Sequence, residues 1–315
     1  MATKSPTPLQ KPTKSFFLEA KKVPNYSWFD KIHGYVYGRW PYLYLGIALG
    51  EHPLAKRMGP ILGVFSRLFP PKDQDDPNRK TSADTYHGKV VSTEAAAQLV
   101  SVTEDITLPD LEKVIPYPRA RSIVLKNPDH IIALDCPCRS ARENPCTPMD
   151  VCLVVGEPFA SFVAESQPDH TRWITSEEAV EILQAERDRG HVHHAFFKDA
   201  MLDRFYAICN CCECCCGAMN AHRNGTPMLA SSGYIARVDE DLCASCGDCE
   251  TACQFGAIAT EEGGAIIDWE ACMGCGVCSA HCPQDAISIQ RDENKGIPLE
   301  IHKLMEKAIA EAPDV

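Results

Sequence analysis

The chain is 315 residues long, 45% hydrophobic and 23% charged, with a formal net charge of −12 and 18 cysteines. That length allows two or more domains with ordinary hydrophobic cores. The acidic balance counts against nucleic-acid binding, and so many thiols in a long chain point to metal ligation rather than to a small disulfide scaffold.

The N-terminal stretch from Met1 to Lys22 holds no apolar run of signal-peptide length. Export is therefore not expected, and a cytoplasmic, reducing setting suits oxygen-sensitive metal chemistry. Residues 1–72 carry eleven Lys and Arg against three Asp and Glu, a net of +8, while the remainder sums to −20. Such a split predicts different partners for the two ends. The acidic body suits a basic redox protein, whose encounter rate rises with complementary charge. The basic end suits anionic lipid or an acidic subunit.

Within that end, Tyr35, Tyr37, Trp40, Tyr42 and Tyr44 precede the run LGIALG, and ILGVFSRLF follows after a polar gap. No run reaches the ~18 apolar residues of a membrane span. Tyr and Trp beside Arg and Lys fit peripheral contact at the cytoplasmic membrane face, although Pro41, Gly46, Gly50 and Pro53 interrupt the pattern. The same aromatics fit packing on the protein's own body or in a partner's groove. We expect residues 1–72 to form a docking segment that metal binding does not require. Residues 73–90 read as a polar linker containing proline.

Residues 91–220 read as a mixed α+β, cysteine-rich domain. Ser92 with Glu94 opens a short helix to about Val100. Leu108–Val114 and Ala120–Lys126 read as further helical pieces, separated by Pro116 and Pro118. The segment HIIALD (130–135) is a buried-strand pattern. Thr175 and Glu178 form a capping box before a helix that Gly190 stops. His191, His193 and His194 follow that stop, where solvated side chains are expected more than metal ligands. Phe205–Cys209 reads as a second strand.

Both strands end in thiols, and the two strands could pair with each other. One block is Cys136, Cys138, Cys146 and Cys152; the other is Cys209, Cys211, Cys212, Cys214, Cys215 and Cys216. One [4Fe–4S] cluster takes four thiolates, so the ten thiols could hold one or two further clusters. Adjacent cysteines in extended chain point to opposite faces, so Cys211–Cys216 cannot all grip one cluster. Cys136, Cys138, Cys146 and Cys152 are the simplest set, and sets mixing the two blocks remain open.

Residues 221–315 carry the strongest signal. Cys243, Cys246, Cys249 and Cys253 are spaced C-x2-C-x2-C-x3-C, and Cys272, Cys275, Cys278 and Cys282 repeat the spacing 29 residues later, followed by Pro283. Each unit reads as strand, cysteine loop, short helix and strand. Zinc sites need no such repeated CxxCxxC run with a trailing Cys-Pro. This segment, about residues 233–292, resembles the bacterial two-[4Fe–4S] ferredoxin, with Gln254 where a proline often follows the fourth cysteine. The spacing rule crosses the fourth ligands between clusters. One cluster is expected on Cys243, Cys246, Cys249 and Cys282, the other on Cys272, Cys275, Cys278 and Cys253.

The whole pattern is similar to long ferredoxin-domain proteins of anaerobic bacteria. The resemblance implies a multi-cluster carrier of single electrons within a larger redox complex. The alternatives are an iron–sulfur enzyme using an upstream cluster or a thiol pair, and a scaffold with structural clusters. No C-x-x-C-H, GxGxxG or GxxxxGK[ST] motif supports haem, dinucleotide or P-loop chemistry.

Overall fold

A computed structural model of the chain describes residues 11–57 and 81–310. The run ILGVFSRLF and residues 73–80 of the expected linker lie outside the described residues. Three helices come first: α1 (Pro12–Ala20), α2 (Trp28–Arg39) and α3 (Pro41–Ala48). Ser27 starts α2 with a closed capping box, its side chain accepting from Asp30 N–H while the Asp30 carboxylate accepts from Ser27 N–H. Pro41 sits in the first turn of α3, where its missing N–H leaves nothing unpaired.

The middle of the chain runs β1 (Tyr86–Val91), α4 (Thr93–Val100), β2 (Ile106–Leu108), β3 (Ile123–Leu125), β4 (Ile131–Leu134) and α5 (Pro137–Ser140). It continues with β5 (Cys152–Val155), α6 (Phe159–Ser166), β6 (Thr171–Ile174), α7 (Ser176–Asp188), β7 (Val192–Lys198), β8 (Arg204–Cys211), α8 (Gly217–Arg223) and β9 (Leu229–Ala230). Seven of these strands form one sheet in the order β6-β4-β5-β8-β7-β1-β9. Every pairing in it is antiparallel except β1 with β9. Strands β4, β5, β7 and β8 are buried almost throughout, as expected of a sheet covered on both faces.

Several expectations are corrected. The segments at 108–114 and 120–126 are not helical: β2 and β3 pair antiparallel, Ile106 opposite Leu125 and Leu108 opposite Ile123. The β-branched run Ile123-Val124 suits a pleated strand. The two strands ending in cysteines do not pair with each other, because β5 lies between β4 and β8. Tyr86–Val91, placed partly in the linker, is an interior strand. Its polar side chains hid it. His87 and Lys89 are buried, and the His87 ring stacks on Tyr117 at 3.8 Å between centroids. The boundary drawn at 220 also fails to separate the sheet, since β9 joins it at Leu229.

The N-terminal helices pack on the body. Phe16 of α1 is fully buried and stacks on Phe162 of α6, centroids 4.9 Å apart. Burying such a ring is worth about 1.5–3 kcal/mol. The Tyr26 hydroxyl donates to the Ala200 carbonyl at 2.9 Å, and Tyr42 donates to the Asp135 carbonyl at 2.9 Å. Residues 11–57 are therefore part of the fold, with Tyr37 buried and Tyr35, Tyr42 and Tyr44 partly buried against the core.

The C-terminal part runs β10 (Tyr234–Val238), α9 (Asp248–Ala252), β11 (Ile258–Glu261), β12 (Gly264–Ile267), α10 (Val277–Ala280), β13 (Ile287–Arg291) and α11 (Ile301–Ala310). β10 pairs with β13 and β11 with β12, both antiparallel. Each pair takes one strand from each half of the repeat, so the halves interlock. The chain is a mixed α+β structure. No helix among the described residues is long and apolar enough to cross a membrane.

Candidate metal centres

All the upstream thiols lie at one end of the large sheet. Cys136 follows β4, Cys152 opens β5, and Cys209 and Cys211 close β8. The register sets Cys152 opposite Cys209 and Leu134 opposite Cys152. Cys209 and Cys211 share one face of β8. They line an apolar cavity of about 60 Å³ with Cys136, Cys138, Cys152, Cys212, Cys215 and Cys216. Tyr37 of α2 and Pro41 and Leu45 of α3 close the cavity over them. The Tyr37 and Tyr206 hydroxyls, both on this cavity, hydrogen-bond each other at 2.7 Å.

Six of these thiols, Cys136, Cys138, Cys152, Cys209, Cys211 and Cys216, are crowded together. Hydrogen bonds from Cys138 and Cys152 hold the Cys136 thiol well below its ordinary range. The same contacts push Cys138 and Cys152 up, and Cys152 also reaches Cys209. Cys211 is paired with Cys216 and pushed up by that contact and by burial. Arg139 pins this corner. Its fully buried guanidinium donates to the Pro148 carbonyl, to Glu186 Oε2 at 2.9 Å and to the Asn210 carbonyl at 3.1 Å. The loop after β4 is thereby tied to α7 and β8.

Cys212 and Cys215 reach from the cavity wall into a second group with Cys146 and Cys214. Cys212, Cys214 and Cys215 lie in the turn between β8 and α8, closed by Cys216 N–H donating to the Cys212 carbonyl at 3.0 Å. Cys146 joins them from the loop before β5, its sulfur 3.1 Å from that of Cys214. The set Cys136, Cys138, Cys146 and Cys152 is thus not brought together as the simplest reading had it. Cys146 leaves for the other block, and Cys209, Cys211 and Cys216 take its place around the cavity. Loop 141–151 carries Cys146 away from β5, which spacing alone could not reveal.

His191, His193 and His194 are not solvated. All three are buried. His191 and Glu186 Oε2 are 2.6 Å apart; His193 lies between Asn210 Oδ1 at 2.6 Å and Thr93 Oγ1 at 3.1 Å. His194 is fully buried, and neither of its ring nitrogens has a protein partner. Burial pushes it down to about 3, so it is neutral at ordinary pH. The strand pattern of VHHAFFK was the signal that these are sheet residues.

In the C-terminal part, Cys243, Cys246, Cys249 and Cys282 line one small cavity. Cys253 lies within charge range of Cys275 and Cys278, which are also close to Cys272. The thiols therefore gather in crossed sets, as the interlocked strands require. Gly247 and Gly276 precede the two short helices at φ of +81° and +85°, a left-handed conformation that suits glycine. The Ala257 and Ala286 N–H groups donate to the Cys253 and Cys282 sulfurs, each at 3.3 Å. A Cβ on Gly264 would lie 3.4 Å from the Cys243 sulfur. Bare backbone and N–H donors aimed at sulfur are what a sulfur-rich cluster needs around it, and these residues fit one. Burial pushes Cys275 up to about 12 and raises Cys249 and Cys278. A bound metal would displace those protons.

The two sets differ in their surroundings. Cys246 is exposed. Cys275, Phe255 and Ala252 pack against the core of the large sheet. Gln254, beside Cys253, accepts from Glu213 N–H at 2.9 Å, within the upstream cysteine turn. The substitution of Gln for the usual proline thus supplies a hydrogen bond between the two parts of the chain.

No curated protein matches the chain. Residues 242–287 match the family model described as a 4Fe-4S dicluster domain, and they are a ferredoxin-like module near the C-terminus of a longer cysteine-rich chain.

Proposed function

We propose that this protein carries single electrons between a site at the cysteine-lined cavity and an outside redox protein. Two [4Fe–4S] clusters would be held by the ferredoxin-like module in the crossed sets, and a third by four of Cys136, Cys138, Cys152, Cys209, Cys211 and Cys216. A bound cluster supplies a one-electron couple, with a potential set by hydrogen bonds to sulfur, charge and solvent exposure. The protein's own groups provide the rest. Ala257 and Ala286 N–H groups donate to sulfur, Tyr37 and Leu45 keep water from the cavity, and Gln254 holds the module against the upstream turn.

The carrying observation is the polarity of the module. Cys275, with Phe255 and Ala252, packs against the core of the sheet while Cys246 faces solvent. This favours an inner cluster exchanging with the upstream site and an outer one exchanging with a partner. Asp239, Glu240, Asp241, Asp248 and Glu250 lie around the exposed set, which favours a basic partner. For the N-terminal end, Trp28 and Phe29 are 76% and 71% exposed and favour contact with an acidic subunit or anionic surface.

The test is anaerobic redox titration of the full chain, followed by reduction kinetics with a basic carrier. Reversible one-electron steps are expected, with a rate that falls as salt screens the acidic face, the Debye length being about 10 Å at 0.1 M. Iron that stays redox-silent across roughly −700 to +450 mV would refute the reading. A second reading is an iron–sulfur enzyme, favoured by thiols in excess of a cluster's four at a cavity with paired tyrosines. It predicts upstream iron that binds an added ligand such as cyanide while the iron of the module does not.

A further inference from the structure

Among the described residues, one group of ligand atoms is gathered far more tightly than the rest. The sulfurs of Cys146, Cys212, Cys214 and Cys215 all lie within 4.8 Å of one another. The Cys146–Cys214 and Cys214–Cys215 separations are 3.1 and 3.5 Å. Four sulfurs around one tetrahedral ion at a bond length of ~2.3 Å sit about 3.8 Å apart. A cubane places four irons between its cysteines and holds them wider. The thiol sets of the dicluster domain are not drawn together in this way, and neither are the other six thiols of the cavity. We propose that Cys146, Cys212, Cys214 and Cys215 bind a single tetrahedral divalent ion, zinc or iron, and no sulfide.

The local chain is arranged to deliver this. The Cys212–Cys216 turn brings three sulfurs together within four residues. Arg142 delivers the fourth: it donates to the Cys215 carbonyl from both Nε and a terminal nitrogen, each at 3.3 Å, and its other terminal nitrogen donates to Glu51 at 2.9 Å. Its positive charge lies beside a site that carries a net negative charge when four thiolates hold a divalent ion. Soft thiolates select zinc and iron over hard cations. Cys212 and Cys215 are buried, Cys146 is half-buried and Cys214 is exposed, so an ion can enter from solvent.

The position suggests what the ion does. Glu213, inside the turn, donates its N–H to Gln254 of the module and accepts from Arg223 at 2.8 Å. An ion there staples the loop before β5, the turn after β8 and the dicluster domain into one unit. Four closed protein ligands with no open position are the pattern of a structural site. This inference is independent of electron transfer, since it needs no redox change at the ion.

The experiment uses the full chain purified without oxygen, with Cys214→Ser and Cys146→Ser beside the wild type. Metals and acid-labile sulfide are counted per chain, and X-ray absorption is recorded at the zinc and iron edges. Each variant is expected to lose one ion per chain with sulfide unchanged. If the ion is zinc, the edge shows metal–sulfur scattering at ~2.3 Å and no metal–metal scattering. If it is iron, the wild type holds one iron more than its sulfide count and the variants do not. Loss of about four iron and four sulfide together from Cys214→Ser would overturn the proposal in favour of a cubane. Unchanged metal in both variants would overturn it outright. Because Cys214 is exposed, its serine variant tests the site without opening the core. Cys152→Ser, in the cavity, should by contrast lose iron together with sulfide, so failure of the cluster reading there is read separately.

Discussion

Replacing Arg139 by leucine should destabilise the protein by about 3 kcal/mol, because it strands a buried carboxylate. Arg139 and Glu186 are each 1% exposed as side chains, and the pair closes at 2.9 Å. Burial alone would push the Glu186 carboxyl up. Hydrogen bonds and charge from His191 and Arg139 more than offset this and hold it below its ordinary range. Removing one partner of a buried pair typically costs about 3–5 kcal/mol. Glu186 would keep His191 at 2.6 Å and Arg189 at 3.0 Å, which places the loss at the lower end. At ~2–4 °C per kcal/mol for a body of this size, the melting midpoint should fall by about 6–12 °C. The assay is thermal unfolding by circular dichroism under anaerobic conditions, with iron counted before heating. Arg139 also anchors the Cys136-Pro137-Cys138 turn, so the variant should lose upstream iron at temperatures where the wild type retains it. The double variant Arg139→Leu/Glu186→Leu removes the stranded charge and should recover part of the loss. A midpoint within about 2 °C of wild type, or a double variant as unstable as the two single losses added, would refute the argument.

Three further outcomes follow from the same structure. In Gly34→Ala the new Cβ would stand 2.1 Å from the Ala200 carbonyl oxygen and 2.7 Å from the Phe16 ring; α2 must shift, and a loss of roughly 1–3 kcal/mol should appear as a lower denaturant midpoint. Cys282→Ala should remove the cluster expected on Cys243, Cys246 and Cys249, about four iron, and spare the other; spectroscopy showing the reverse would break the crossed assignment. Burial pushes His193 and His194 down to about 4 and about 3, so the unfolded chain takes up their protons first as pH falls below ~6.5. Stability is full above that value and declines toward pH 4 by about 1.4 kcal/mol per unit for each ring. His194→Leu should remove one such share, about 1.4 kcal/mol at pH 5.5, in a comparison of urea midpoints at pH 7.5 and 5.5.

The dicluster module could be read from sequence because its information is local. Ligand spacing, the 29-residue repeat and the paired glycines all lie within a short stretch, and interlocking of the halves follows from the repeat. The helix at 176–188 was equally legible: the Thr175 hydroxyl accepts from Glu178 N–H at 3.2 Å, although the Glu178 carboxylate turns to Arg172 rather than closing the capping box. The partition of the ten upstream thiols was not legible. It depends on β5 lying between β4 and β8 and on a loop that carries Cys146 away from Cys152, and both are long-range facts. Strand β1 was missed because His87 and Lys89 look like surface residues, yet tertiary contacts bury them. Burial pushes Lys89 down to about 7, a mark of how far its setting departs from the usual one.

The N-terminal helices bring the two ends of the argument together. Their charge and aromatics suggested a separate docking segment, but Tyr37, Pro41 and Leu45 are walls of the cysteine-lined cavity. Gly38 lets α2 lie against Phe162, where a Cβ would meet the ring at 2.4 Å, and Gly34 lets it approach the chain at Ala200. Without this layer the thiol-bearing face of the sheet would open to water. Solvent exposure and local dielectric are among the levers that set the potential of an iron–sulfur cluster. The segment therefore acts on the thiol site through exclusion of water, while Trp28 and Phe29 on its outer side are exposed. Inward packing leaves α2 a second, outward face, and the glycines at 34 and 38 decide which face turns in.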